Sequence, residues 1–383
     1  MRSFSLSASQ IARLSGALTG DELSRRFNTY TDFLTQSEWN AKTVIGPGGL
    51  GLSQERIEAC AARLCQFFDK TGVDLDPQPT DSFGDWAGRF LPEIEQSLRV
   101  MRFHPATQAG SADVRHNADE VFQDARVVAS LMHGRRRVLS LVSPHSLFGF
   151  ITTMLAPNLQ HLEVTDARSM APDELSEAVA FGDLIIATPT LWRYLHETIS
   201  GFPNNVMGLA FGEPLLLDLA TGLREHGLGA MRELYGSTES GIIGWRDTPA
   251  EPFVLFDHWI GAEEKLVRIR PDGSEREVVC MDHMEWQGER TFKLAGRRDG
   301  AVQIGAINVF PSSIGAIIGE HPDIRECTVR VTHRAGSLDR LIAHIQLNDG
   351  IQPNQDIAWS VDEWCRNRLQ PPERPRIYVF NKK

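Results

Sequence analysis

The sequence predicts an α/β protein in two units, a large N-terminal one built on a mixed sheet and a small, compact α+β one after it. Three observations predict it. Short apolar runs alternate with helical segments from about 138 to 227, strands follow one another after 250, and a compact mixed pattern begins near 297. VLSLV (138–142), DLIIAT (183–188) and VMGLAF (206–211) are unbroken apolar runs, as expected of strands covered on both faces. Helices are expected at 172–181, 190–199 and 215–227, the last stopped by Gly227. This order makes a parallel sheet flanked by helices. Residues 54–69 carry helical apolar spacing, and KLVRIR (265–270) and REVVCM (276–281) read as strands. The small unit should hold a helix near 312–320, strands at 327–332 and 341–347, a helix at 355–369 and a last strand at 376–380. The boundary is drawn at 297, giving units 1–297 and 298–383.

Bulk properties exclude several classes. With 39 basic and 50 acidic residues the net charge is −11, which opposes nonspecific nucleic-acid binding. Cys60, Cys65, Cys280, Cys327 and Cys365 form no CxxC pair, so neither a zinc knuckle nor a disulfide framework is expected. No apolar run approaches the ~18 residues of a membrane span, and the N-terminus lacks a signal-peptide core. A cytoplasmic protein without membrane contact is the expectation.

Gly46-Pro47-Gly48-Gly49-Leu50-Gly51 matches GxGxxG ahead of a helix, with Asp69 at a plausible distance for a ribose contact. The strand before it would be only KTVI (42–45). A dinucleotide-dependent oxidoreductase therefore stands as an alternative reading.

The strongest local signal is Leu234-Tyr235-Gly236-Ser237-Thr238-Glu239-Ser240-Gly241. It is a tight glycine turn with hydroxyls and a carboxylate, a set suited to a phosphate and its divalent metal. The segment resembles the Y-G-x-T-E motif of the adenylate-forming superfamily, which activates carboxylic acids with ATP. Two further segments keep the family's order. Phe211-Gly212-Glu213-Pro214 resembles the stretch that lines adenine, and Gly296-Arg297-Arg298-Asp299 resembles the hinge segment. Its continuation to Asn308-Val309-Phe310-Pro311-Ser312 is most similar to the phenylacetate-CoA ligase branch.

The resemblance implies a set of roles. Thr238 would contact the α-phosphate, Glu239 would hold Mg²⁺, and Tyr235, Gly236 and Ser237 would line the nucleotide. Asp282 would bind the ribose hydroxyls, Arg297 would reach ribose or phosphate, and Asp299 would be the hinge of the small domain. Within Pro144–Phe150, His145, Phe148 and Gly149 would form the acid pocket, with Gly149 leaving room for a ring.

Departures from the pattern are also legible. The phosphate loop keeps Thr107, Gly110 and Ser111, but Asp113 stands where the family has lysine, with Arg115 as a partial substitute. The hinge carries Gly300 and Gly305-Ala306 in place of an acidic residue and a basic-Gly pair. Lys382 and Lys383 do not match the C-terminal catalytic-lysine segment, and the N-terminal part is short. The resemblance thus implies an atypical enzyme using ATP or AMP and Mg²⁺ to activate an aromatic acid. That combination is similar to a shortened family member of phenazine antibiotic biosynthesis, making a phenazine carboxylate the specific expectation. CoA, a carrier or a reductase would accept the acyl group, and a homodimer is a family expectation. The alternative within the fold is a protein that binds an adenylate and hands on an acyl group without cleaving ATP.

Overall fold

The computed structural model describes residues 6–31, 33–105, 112–262, 265–298, 300–304, 307–332 and 340–380. Thr107, Gly110, Ser111 and Asp299 lie outside the described residues. The chain divides into two compact units; Met1–Pro105, Ala112–Val279 and Trp286–Lys293 belong to the first, Cys280–Glu285 and Leu294–Lys383 to the second.

The first unit opens with helices α1 (Ala8–Phe27), α2 (Phe33–Glu38), α3 (Gln54–Phe67) and α4 (Phe83–Ser97). α1 and α4 start at capping boxes, Ser7 with Gln10 and Ser82 with Asp85, which satisfy end N–H groups that no helical carbonyl reaches. A hairpin of β1 (Val100–Phe103) and β2 (Val114–Asn117) leads into α5 (Ala118–Leu131), capped by the Asn117 side chain.

The sheet is then laid down. β3 (Arg137–Ser140) is followed by α6 (Leu147–Phe150), a π-helical turn over Ile151–Leu155, and α7 (Ala156–Leu159). Next come β4 (Glu163–Asp166), α8 (Pro172–Ala178), β5 (Leu184–Ala187), α9 (Pro189–Thr198), β6 (Met207–Ala210), α10 (Leu217–Glu225) and β7 (Ala230–Ser237). β4, β3, β5, β6 and β7 lie side by side in parallel. β8 (Gly241–Arg246) turns back against β7, and β9 (Phe253–Leu255) pairs antiparallel with β8, so the sheet is mixed. β5 and β6 are buried at every position, which is why they read as unbroken apolar runs. On one face Trp192, Leu195, Leu219 and Leu223 of α9 and α10 pack on Leu139, Ile185 and Ala187. Elsewhere Phe67, Phe103 and Phe150 meet edge-on or tilted at 4.9–5.9 Å.

A smaller antiparallel sheet, β10 (Trp259–Ala262), β11 (Lys265–Ile269) and β12 (Glu275–Val279), is tied to α5 through buried charge. Arg268, fully buried, donates to Asp124 Oδ1 at 2.7 Å and to the Glu120 carbonyl at 2.6 Å. His258 lies 3.0 Å from the same carboxylate, whose other oxygen accepts the Ile242 amide at 3.1 Å. Burial alone would raise the Asp124 carboxyl, but Arg268 and His258 outweigh it and hold it below the usual range.

The second unit contains β13 (Asp282–Trp286) and the outer part of β14 (Thr291–Arg297), which are hydrogen-bonded neighbours; β14 begins in the first unit on β9. It continues with a hairpin of β15 (Val302–Ile304) and β16 (Ile307–Val309), α11 (Pro311–Gly319), β17 (Ile324–Thr332), β18 (Arg340–Leu347), α12 (Gln355–Arg368) and β19 (Ile377–Phe380). β17, β18 and β19 form a sheet whose core includes Ile314, Ile318, Ala343, Ile345, Val361 and Cys365. The described cysteines are all free, and no described helix is long and apolar enough to cross a membrane.

The glycine-rich segment is not a dinucleotide fingerprint. Only an isolated bridge, Val44 to Ser82, precedes it, and α3 leads to another helix rather than to a strand of the sheet. The Leu50 amide is spent on the Val44 carbonyl, and those of Gly49 and Gly51 on the Gly46 carbonyl. A pyrophosphate needs such amides free at a strand–helix junction. Asp69 is engaged by Arg102 and, at 2.8 Å, by Arg115.

Removing one partner of the buried pair leaves the other charge uncompensated. Asp124→Ala should therefore cost ~3–5 kcal/mol, read as a lower midpoint in equilibrium denaturant unfolding.

Candidate active site

Parallel α/β sheets present loops at the carboxyl ends of their strands, and ligands gather in the crevice there. Four such ends matter here. β3 runs into Ser143 and His145, β5 into Thr188 and Thr190, β6 into Phe211–Pro214, and β7 into the turn at Thr238–Glu239. Motif segments distant in sequence therefore meet at one edge of the sheet. Ala210 lies opposite Glu233 in the register, so Phe211–Glu213 emerges beside Leu234 and Tyr235.

The β7–β8 turn is held by its own polar groups. Ser237 Oγ accepts from the amides of Glu239 and Ser240 at 3.2 Å each, and the Ser237 amide donates to Ser240 Oγ at 3.0 Å. Gly236 is required by its surroundings: a Cβ there would stand 2.1 Å from the Gly241 carbonyl oxygen. From β2, buried His116 donates through Nε2 to the Thr238 carbonyl at 2.5 Å. Burial, first, keeps this imidazole's pKa below its ordinary value. Ser237 thus shapes the loop, Thr238 is fixed through its backbone, and the Glu239 side chain is exposed to solvent.

The adenine-type segment is built differently. Glu213 accepts from Thr190 Oγ1 at 2.7 Å, while its Oε1 is buried without a hydrogen-bond partner. Burial, first, raises its carboxyl above the usual range. An orphan acceptor of this kind fits a donor on a ligand such as an amino group. Phe211 packs on Phe148 with ring centroids 5.1 Å apart, so two predicted segments share one aromatic wall.

Other expected roles are revised. Gly149 makes room for its own backbone rather than for a ring: a Cβ there would lie 2.0 Å from the Ser143 carbonyl oxygen. His145 bonds Ser143 Oγ through Nδ1 at 2.7 Å and stands 4.0 Å from Asp21. Asp113 is not a bare repulsive charge. His104 at 3.2 Å, first, then Arg63 at 2.8 Å hold it ionised below the usual carboxylate range. Arg115 is taken up by Asp69. In the second unit, Asp282 and Arg297 come together as an ion pair at 3.8 Å. Among the described residues no group of three or more His, Cys, Asp or Glu is arranged to hold a metal. A Mg²⁺ held by Glu239 would need nucleotide phosphates for its remaining ligands.

Sequence reasoning missed His116, Thr190 and Arg63. Arg63 alone left a signal: it lies three residues after Cys60 and four before Phe67, a charged residue on the buried stripe of α3.

No family model matches the chain. A 4-coumarate–CoA ligase of Halorhodospira halophila is 30% identical over 327 residues, 84% of this chain and 82% of that protein. Another, from Cereibacter sphaeroides, is 27% identical over 346 residues, 88% of this chain and 82% of that protein. Among solved structures, an amide bond synthetase from Marinactinospora thermotolerans aligns over 97% of this chain and 90% of its own, with TM-score 0.59 at 15% identity. The chain belongs to the adenylate-forming superfamily of CoA and acid ligases.

Gly236→Ala should open the β7–β8 turn and abolish measurable AMP binding by calorimetry, whereas Gly72→Ala, with open space around it and no left-handed backbone, should not. His116 supplies a pH test. The unfolded chain holds its proton more tightly, so the stability due to neutral His116 is complete above about pH 6.5 and is lost as pH falls. Between pH 7.5 and 5, wild type should lose more unfolding free energy than His116→Gln.

Proposed function

We propose that this chain activates an aromatic carboxylic acid as its acyl-adenylate. One observation carries the proposal: the Phe211–Pro214 and Tyr235–Glu239 segments emerge from neighbouring parallel strands, and Phe148 and Phe211 form an aromatic wall. The wall suits a planar acyl group or base, and the Thr238 hydroxyl, carried on a turn whose serines hold one another, suits a phosphate. A divalent cation, when bound at Glu239, offsets phosphate charge. The acid carboxylate attacks the α-phosphorus, pyrophosphate leaves, and Thr238 stabilises the charge that develops there. By the family resemblance Asp282 and Arg297 would serve ribose and phosphate, and Asp299 would be the hinge residue. By the same resemblance Thr107, Gly110 and Ser111 would supply the phosphate loop.

The 4-coumarate–CoA ligases that resemble the chain support an acid of the hydroxycinnamate kind and CoA as acceptor. A phenazine carboxylate is the second acid class to test. A second reading is favoured by the Asp113 side chain, which meets Arg63 at 2.8 Å where the family has a free lysine. On that reading the protein binds an adenylate and passes on its acyl group without cleaving ATP.

Calorimetry with AMP and Mg-ATP, followed by pyrophosphate exchange with 4-coumarate, cinnamate and phenazine-1-carboxylate, separates the readings. Exchange with any of these acids supports adenylation. Tight AMP binding with weak ATP binding and no exchange supports the second reading, and absence of nucleotide binding removes both. Where exchange is measurable, Thr238→Ala should reduce it ~10²–10³-fold. Glu239→Gln should raise the Mg²⁺ concentration needed for half-maximal exchange.

A further inference from the structure

Arg63 is a cation in the wrong place for a core helix. Its side chain is 3% exposed, and Nη1 donates to Asp113 Oδ2 at 2.8 Å. Nε stands 3.9 Å from Asp21 Oδ2, beyond hydrogen-bond length, and neither Nε nor Nη2 has a hydrogen-bond partner. Buried polar groups are nearly always matched, and a guanidinium offers five N–H donors in a planar fork. Nε and Nη2 form the edge that grips a carboxylate or phosphate with two parallel bonds.

The charges nearby are paired, so what Arg63 offers a ligand is its unmatched donors rather than a net positive field. His145, at the carboxyl end of β3, lies 4.0 Å from Asp21 Oδ1, so Asp21 stands between it and Arg63. One carboxylate, Asp21, and three guanidiniums, Arg63, Arg168 and Arg25, act on this imidazole. Arg168 is 4% exposed; Nε and Nη2 are bound to Asp166, and Nη1 is unmatched. Glu22, the further carboxylate near Arg63, pairs with Arg26 at 3.7 Å. Arg63 thus keeps two unmatched nitrogens on one edge, with Asp21 linking it to His145.

We infer that Arg63 forms an oxyanion subsite beside His145 that takes a carboxylate or phosphate group. This rests on the acid-activation reading and deepens it. The oxyanion is either a second carboxylate on the acid, remote from the one that reacts, or the terminal phosphate of the nucleotide. Asp113 is the internal competitor, occupying one guanidinium nitrogen and weakening the grip on any ligand.

The test is calorimetry on the full chain with cinnamate, 4-carboxycinnamate, AMP and ATP, comparing wild type, Arg63→Gln and Asp113→Asn. If the source is the acid, 4-carboxycinnamate binds wild type about tenfold more tightly than cinnamate, and Arg63→Gln erases that advantage. If it is the nucleotide, the same holds for ATP over AMP. Asp113→Asn should enlarge whichever advantage exists by about threefold or more. The absence of both preferences in wild type, or a preference that Arg63→Gln leaves intact in a folded protein, overturns the subsite. Should Arg63→Gln not fold, Asp113→Asn decides: an unchanged or smaller advantage overturns it. Failure of AMP to bind wild type removes the acid-activation reading, whereas AMP binding without an Arg63-dependent preference removes only the subsite.

Discussion

The buried carboxylate of Asp124 is the constraint on which the candidate site depends. It receives Arg268 from the small sheet, His258 from the loop before that sheet, and the Ile242 amide from β8. One side chain of α5 therefore fixes three elements, including the strand that returns from the nucleotide-type turn. The return is tight: a Cβ on Gly241 would stand 2.7 Å from Asp124 Oδ2 and 2.8 Å from Arg268 Nη1. A charge buried this deeply is tolerated only when paired and hydrogen-bonded. The same requirement forces the neighbouring strands into one arrangement, and the turn inherits that rigidity.

A second layer of support comes from β2. His116 reaches the Thr238 carbonyl, so the hairpin at the family's phosphate-loop position also steadies the loop at the end of β7. Neutrality matters here. Burial disfavours the protonated imidazole by more than the Thr238 carbonyl and the Asp124 carboxylate favour it. The site is thus shaped by groups that need not touch a ligand at all.

Arginine is used throughout the first unit as an internal connector. Glu120 takes Arg270 and Arg276 at 2.8 Å each, and Glu233 takes Arg246, linking β7 to β8. These pairs have their donors largely directed at fixed acceptors. Arg63 differs in leaving an edge unmatched.

Much of the fold was legible in the sequence. Unbroken apolar runs marked β3, β5 and β6 because those strands are covered on both faces, and Gly227 marked the end of α10. The motif segments were legible because glycine, hydroxyl and carboxylate chemistry is local: the turn at 236–241 needs those residues in that order. What the sequence could not decide was which distant groups meet. The glycine run at 46–51 matched a fingerprint, yet its amides close on its own carbonyls. Asp113 read as a bare repulsive charge because its partners lie 50 residues away on α3 and nine residues away at His104. Sequence alone determined the strands, the turns and the order of motifs, all set by local periodicity and backbone conformation. Tertiary structure alone decided the protonation of Asp113, Asp124 and His116 and the pairing of Arg63, because burial and electrostatics depend on neighbours that only the folded chain brings together.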